Sequence, residues 1–318
     1  MNLASHPVVL SLTPVFLLIG LGFLAGRLGW IRDAAVRDLS NLVFLLLIPA
    51  LLFRTMSGVH VQALDLRPVL AYFPAALLLL ALSIAWRGFH RASVVMALGG
   101  VFSNMVMIGI TLVELAYGRE AVVTVLTLVS VHALILLTVG SVVLELVVAR
   151  EARDGGGRAP HVLETAGSAF KGALIHPIPL PILCGLLYAQ TGWSLPAAID
   201  KPLQLLGSAF GPIALVLVGV TLARTPLRGH LRPALWITVS KNLVLPLLVG
   251  LSAWAWGITG LPLTVIVVAA ALPMGANVFL FAQRYEVAQE LTTAAMGLST
   301  ALALFTLSFV MLVMAYLN

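Results

Sequence analysis

Charged side chains are scarce in this chain. Of its 318 residues only 9% are Asp, Glu, Lys or Arg, against about 25% in an ordinary soluble domain. Hydrophobic residues make up 61%, and the mean hydropathy is +1.08. A chain of this composition has lipid as its solvent. With roughly 20 apolar residues needed for each helical crossing, the length suffices for about ten spans and leaves no room for a sizeable soluble domain. Cysteine is nearly absent too. The single Cys184 excludes an intrachain disulfide and a Cys-based metal cluster, and its place inside an apolar stretch reads as that of a small packed residue. Also missing are H-E-x-x-H, G-x-S-x-G, a P-loop and paired intramembrane carboxylates. Neither a membrane protease nor a nucleotide-driven pump is supported, so no enzyme, catalytic residue, metal or cofactor is expected. The stretch Met1 to Pro7 lacks the basic region of a cleaved signal peptide, and no small-residue cleavage site follows. The first apolar run is therefore expected to stay as helix 1.

What is present is a succession of apolar runs, at 8–28, 36–56, 68–86, 91–117, 121–148, 172–190, 203–223, 231–257, 262–283 and 288–316. The longest connection carries Arg153, Asp154, Gly155, Gly156, Gly157 and Arg158, a charged, Gly-rich composition that reads as a flexible linker. Residues 1–148 then form one five-helix unit, 149–171 a cytoplasmic linker and 172–318 a second five-helix unit. The formal charge of +6 would raise nucleic acid as a partner in a soluble protein, but here Lys and Arg sit between the apolar runs and act as topology signals. Alternate connections hold 13 of them (Arg27, Arg32, Arg37, Arg87, Arg91, Arg150, Arg153, Arg158, Lys171, Arg224, Arg228, Arg232, Arg284) and the others 4 (Arg54, Arg67, Arg119, Lys201). Positive loops stay inside, which predicts an inner-membrane protein with both termini periplasmic. Gly22, Gly29, Trp30, Ala34, Ala35 and Pro49 are each followed 163 positions later by the same residue, Gly185, Gly192, Trp193, Ala197, Ala198 and Pro212. Each unit has an odd number of spans, so the second copy enters the bilayer with opposite polarity, the inverted repeat of secondary transporters.

Polar residues inside the runs are the candidates for a site. Span 4 carries Gly99, Gly100, Ser103, Asn104 and Gly109, and span 9 carries Pro273, Gly275, Ala276 and Asn277 at the corresponding place. Proline removes a helical hydrogen bond and clashes with the preceding turn, so both helices are expected to break near mid-membrane. Unwound backbone at that depth is tolerated only when buried in protein or lining a wet cavity, and paired breaks point to a substrate site. The competing reading is close helix packing by small residues. The asparagines favour a site, because an amide can bond exposed backbone or a carboxylate. Lys241, the one Lys or Arg well inside a span, is either part of that site or snorkels to the cytoplasmic interface. His132 in span 5 is a proton acceptor or a packing residue. Glu145 reads as interfacial, and Glu114 and Arg54 as boundary charges.

At these residues the sequence resembles the auxin efflux carrier family, which includes plant auxin exporters and bacterial relatives associated with malonate or malate. Ser103-Asn104-Met105-Val106-Met107-Ile108-Gly109-Ile110 is similar to the family's P-N-x-x-x-x-G-I-P stretch. Ala271-Leu272-Pro273-Met274-Gly275, continuing through Phe279, Phe281-Ala282 and Tyr285-Glu286-Val287, is similar to A-L-P-x-G, F-x-F-A and Y-x-V. His132, Thr138 and Glu145 fall where the plant carriers have Gln, Thr and Glu. The likeness spans the chain apart from the long central loop of the plant exporters, and it departs at Ser103 and Thr111, where the family has proline, and at His132. It implies a scaffold of spans 1, 2, 6 and 7 and a transport domain of spans 3–5 and 8–10, with broken helices 4 and 9 crossing beside the substrate.

The expected activity is secondary transport of a small organic anion, malonate or a related carboxylate, by alternating access. Asn104, Asn277, Ser103, Pro273 and Gly275 would bind it, with positive charge from Lys241 and His132. The same fold also serves sodium-coupled organic-anion symporters and sodium–proton antiporters, and a membrane receptor that binds without transporting is a rival of another class. The lipid bilayer and the anion are the expected partners, nucleic acid is not, and a homodimer stays open.

Overall fold

The chain is seen here in a computed structural model that describes residues 7–58, 65–154, 179–225 and 229–317. Among the described residues each apolar run is mostly helical. α1 covers Pro7–Arg27, α2 Asp33–Leu42, α3 Ile48–Met56, α4 Arg67–Arg87, α5 Arg91–Gly99, α6 Ile110–Asp154 and α7 Pro179–Ala189. α8 covers Ala197–Ala223, α9 Leu231–Val239, α10 Leu245–Ala255, α11 Gly260–Ala271, α12 Asn277–Arg284 and α13 Gln289–Leu317. Gly118, at φ 79° and ψ −175°, divides α6 in two. No strand occurs among the described residues, whose only β-type contact is a single antiparallel bridge between Ser103 and Met274.

Two junctions are continuous but widened. Val43–Leu47 joins α2 to α3 and Ser240–Val244 joins α9 to α10 as π turns, and a proline follows each, Pro49 and Pro246. Proline has no N–H to give the carbonyl four residues back and its ring presses on it. A wider turn relieves the clash without ending the helix.

Six stretches are long and apolar enough to cross a bilayer, at Ala34–Met56, Arg67–Arg87, Met105–Glu151, Ala197–Ala223, Leu231–Ala255 and Gln289–Leu317, with shorter apolar helices at Leu12–Arg27, Leu180–Ala189 and Gly260–Ala271. Their outward faces are apolar: Leu17, Leu21, Leu187, Phe305 and Phe309 are exposed. All six tryptophans, Trp30, Trp86, Trp193, Trp236, Trp254 and Trp256, are exposed as well, at or near helix ends. That pairing of bare leucines with end-on indoles is the surface of a protein whose rim meets the membrane–water interface.

The helices cross closely at glycine. A Cβ on Gly22 of α1 would run into the carbonyl of Val216 on α8, and one on Gly185 of α7 would lie 2.7 Å from the carbonyl oxygen of Phe53 on α3. Gly22 and Gly185 are one of the pairs separated by 163 residues.

Three expectations differ from what is found. The first positions of the linker expected at 149–171 are helical, since α6 runs to Asp154; the rest of it lies within 155–178, outside the described residues. α8 starts at Ala197 and not near 203, and Asp200 in its first turn pairs with Arg54 at 2.7 and 3.1 Å. Cys184 is exposed rather than packed, on the outward face of α7 beside the exposed Leu183 and Leu187.

Candidate functional site

The helical runs α5 and α11 both stop in mid-chain. α5 ends at Gly99, and 100–104 is non-helical; α11 ends at Ala271, and 272–276 is non-helical before α12 begins. A break leaves up to four N–H and four C=O groups without helical partners on its two sides, and each unmatched group in an apolar interior costs free energy. The two breaks meet this cost by pairing with each other. The Asn104 N–H donates to the Pro273 carbonyl at 2.8 Å, and the Gly275 N–H donates to the Phe102 carbonyl at 2.9 Å. Close approach needs a residue without a side chain at position 275, where a Cβ would sit 3.1 Å from the Phe102 ring and 3.2 Å from the Ser103 carbonyl oxygen.

Side chains complete the arrangement. Asn104 sits before the π turn Met105–Gly109, and its Oδ1 accepts from the Met107 N–H at 3.3 Å. Its carbonyl takes the N–H groups of Ile108 and Gly109, at 3.4 and 3.2 Å. Ser103 Oγ and the Tyr72 hydroxyl are 3.0 Å apart and buried. On the far side of the second break, Ser299 Oγ accepts from the Met274 N–H at 2.9 Å and donates to Asn242 Oδ1 at 2.7 Å. Asn242 Nδ2 in turn donates to the Ser299 carbonyl and to Thr306 Oγ1, both at 3.1 Å.

A cavity of about 50 Å³ lies where the breaks meet, with Ser103, Asn104, His132, Gly275 and Asn277 in its wall beside Phe44 and Phe102. Next to it is a cleft of about 490 Å³ that shares Phe44, Ala276 and Asn277 and carries Thr221, Arg224 and Thr225. A third space, about 680 Å³ and lined by Arg54, Glu114, Arg119 and Asp200, has no residue in common with the first. Five of the seven residues singled out from the sequence therefore surround one cavity, and Pro273 lies in the break through its carbonyl. Lys241 does not line the cavity. It is fully buried and donates from Nζ to the carbonyls of Ala270 and Leu272, at 2.6 and 2.7 Å.

His132 is 4% exposed. Its ring stands edge-on to Phe102 with centroids 4.7 Å apart, and to Tyr72 at 5.8 Å. Neither ring nitrogen finds a hydrogen-bond partner among the described residues, an uncommon state for a buried polar group. Glu145, read as interfacial, is buried at 9% exposure and accepts from the Tyr285 hydroxyl at 2.9 Å. Arg54, read as a boundary charge, is the partner of Asp200. Asn242, Ser299, Tyr72 and Arg224 are absent from the residues chosen by sequence. Asn242 had a local signal, an amide beside a lysine within an apolar run; Tyr72 and Ser299 sit in helices where nothing nearby in the chain marks them, and Arg224, just past the end of α8, was marked only as a topology charge.

The described residues include no group of three or more His, Cys, Asp or Glu side chains placed to hold a metal ion. Residues 7–311 match the family described as Membrane transport protein. Over 303 residues, 93% of this chain and 92% of the relative, the sequence is 29% identical to a protein of Rhizobium meliloti (strain 1021) named "Putative malonate transporter". Over 350 residues, 95% of each chain, it is 23% identical to Auxin efflux carrier component 8 of Arabidopsis thaliana.

Proposed function

The chain belongs to the membrane transport protein family, and from that premise we propose that it is a secondary carrier of small organic anions, with malonate or a related carboxylate as substrate. The observation that carries this reading is the pairing of two broken helices around a cavity walled by two amides. Freed backbone N–H groups and half-helix N-termini favour anions, and broken helices near mid-membrane are where secondary transporters bind substrate. The cavity, about 50 Å³, is several times the roughly 10–15 Å³ that one water needs, and in this reading it receives a carboxylate head.

The rest of the anion would lie in the adjoining cleft, past Phe44, where Arg224 brings positive charge. Asn104 spends its Oδ1 on the Met107 cap, so the Nδ2 donors are what a carboxylate meets. Asn277 opens α12 on the opposite wall, and His132 Nδ1 and Nε2 are available beside them. In this reading the cleft with Arg224 is the substrate's way in from the cytoplasmic side, the side that the arginine-rich connections would face.

In this reading the chain crosses the inner membrane ten times as two inverted five-helix repeats, with periplasmic termini. Two features support the repeat: α1 meets α8 at Gly22, and α7 meets α3 at Gly185, contacts that exchange when the first unit is mapped onto the second. Spans 1, 2, 6 and 7 would be the scaffold and the remaining six the moving domain, which rocks around the site. The experiment is counterflow: proteoliposomes loaded with unlabelled malonate should accumulate labelled malonate, and those loaded with chloride alone should not. Saturable binding of malonate without counterflow would make the chain a receptor, and neither binding nor counterflow with malonate and a panel of related carboxylates would remove the anion-carrier reading.

A further inference from the structure

The C-terminal end of α11 has the makings of a cation site. Its last carbonyls have no helical partner, and the chain turns away at Leu272 (φ −57°, ψ 150°) into Pro273, which has no N–H to return. Carbonyl oxygens gathered at a helix C-terminus carry about half a negative charge between them. In transporters with discontinuous helices, unwound carbonyls and half-helix C-terminal ends are where monovalent coupling cations sit. Here the oxygens of Ala270 and Leu272 converge on one positive centre, and that centre belongs to the protein: Lys241 Nζ, at 2.6 and 2.7 Å, with none of the residue exposed.

Neighbouring groups hold the lysine in that position. It stands in the π turn Ser240–Val244, and the next residue, Asn242, is fixed by three bonds to Ser299 and Thr306. Ser299 also takes the Met274 N–H. The two faces of the break are thus closed from one side of the fold, the carbonyls by Lys241 and the N–H by Ser299.

We propose that the end of α11 is a monovalent-cation site filled from within the chain, with the Lys241 ammonium as a tethered stand-in for a coupling ion. The consequence for transport rests on the carrier reading above: the charge travels with the moving domain, so no sodium ion need bind or leave in each cycle. Lys241 is then a positioning residue that shapes the broken helix, not a contact of the substrate.

The test uses purified full-length protein and needs no substrate. Melting temperatures of the wild type and of Lys241→Ala are compared in choline, sodium and ammonium chloride at equal ionic strength. The wild type should melt at the same temperature in choline and sodium. Lys241→Ala should melt lower in choline and recover saturably with ammonium, by about 2 °C or more at about 100 mM. Lys241→Arg, which keeps a cationic donor, should stay indifferent to the salt, while Lys241→Gln, a neutral donor, should behave as the alanine variant does. Saturable stabilisation of the wild type by sodium overturns the proposal, and this can be read even if no variant folds. So does a Gln variant as stable as the wild type, or an Ala variant for which ammonium is no better than choline. A failure of malonate counterflow would leave these melting results untouched, and a failure here would leave the anion-carrier reading standing.

Discussion

Replacing Asn104 and Asn277 separates binding from folding, because the two amides have different structural duties. Asn104 Oδ1 caps the turn at Met107 with a 3.3 Å bond, and losing such a cap to alanine costs about 1 kcal/mol. Asn277 has no such duty. It is the first residue of α12, and the cap residue before it, Ala276, makes no side-chain bond. If each amide donates to a substrate carboxylate in a site shielded from water, removing one leaves that oxygen short of a partner, at about 1–3 kcal/mol. Affinity should then fall about 5- to 150-fold. Asn277→Ala is expected to lose affinity with an unchanged melting temperature. Asn104→Ala should lose both, and Asn104→Ser, which restores a short cap acceptor, should recover the melting temperature and not the affinity. The double variant should lose less than the sum of the two, because both residues touch one ligand. Equilibrium binding of labelled malonate and thermal melting on the same purified samples give all of these values. Wild-type affinity in both single variants would refute the site, as would an Asn277→Ala protein that melts early while its surviving fraction binds normally.

Three further outcomes follow from the same structure. His132→Gln should keep malonate binding and lose the dependence of uptake on a pH gradient; an unaltered pH dependence returns His132 to a packing role among Phe102 and Tyr72. Gly22→Ala forces a methyl into the backbone of α8 and should lower the melting temperature markedly, since overpacking costs about 1–3 kcal/mol; Gly20→Ala, with nothing within 4 Å of the new Cβ, should be neutral or slightly stabilising, and equal effects at the two positions would contradict the close crossing of α1 and α8. In a Cys184→Ser background, Ser194→Cys should react with an impermeant thiol reagent on intact cells and Gln289→Cys should not, and the reverse pattern would invert the topology.

Composition and local order settled the class of the protein and where two of its helices break. Runs of apolar residues with 9% charge overall have one stable solvent, and helix is the conformation in which each run satisfies its own backbone. The breaks were legible for the same reason: Gly100 with Asn104 in one run and Pro273 with Gly275 in the other remove helix propensity within a few residues of chain. The π turns before Pro49 and Pro246 were not anticipated, although proline explains them, because a widened turn and a sharp break carry the same local signal. Lys241 was conspicuous as a charge inside a span, yet its own segment does not reveal which groups it faces.

Those partners were decided by packing between segments far apart in the chain. Asn104 meets Pro273, Lys241 meets Leu272, Asn242 meets Ser299 and Arg54 meets Asp200, and none of these pairs leaves a periodicity or a short motif. A hydrogen bond constrains distance and direction in space, and residues tens to hundreds of positions apart satisfy it only after the helices between them have been laid side by side. Sequence therefore marked two broken helices and the polar residues in them. Tertiary structure alone determined that the breaks close on each other, that five of those residues share one cavity, and that the buried lysine faces carbonyl oxygens and not that cavity.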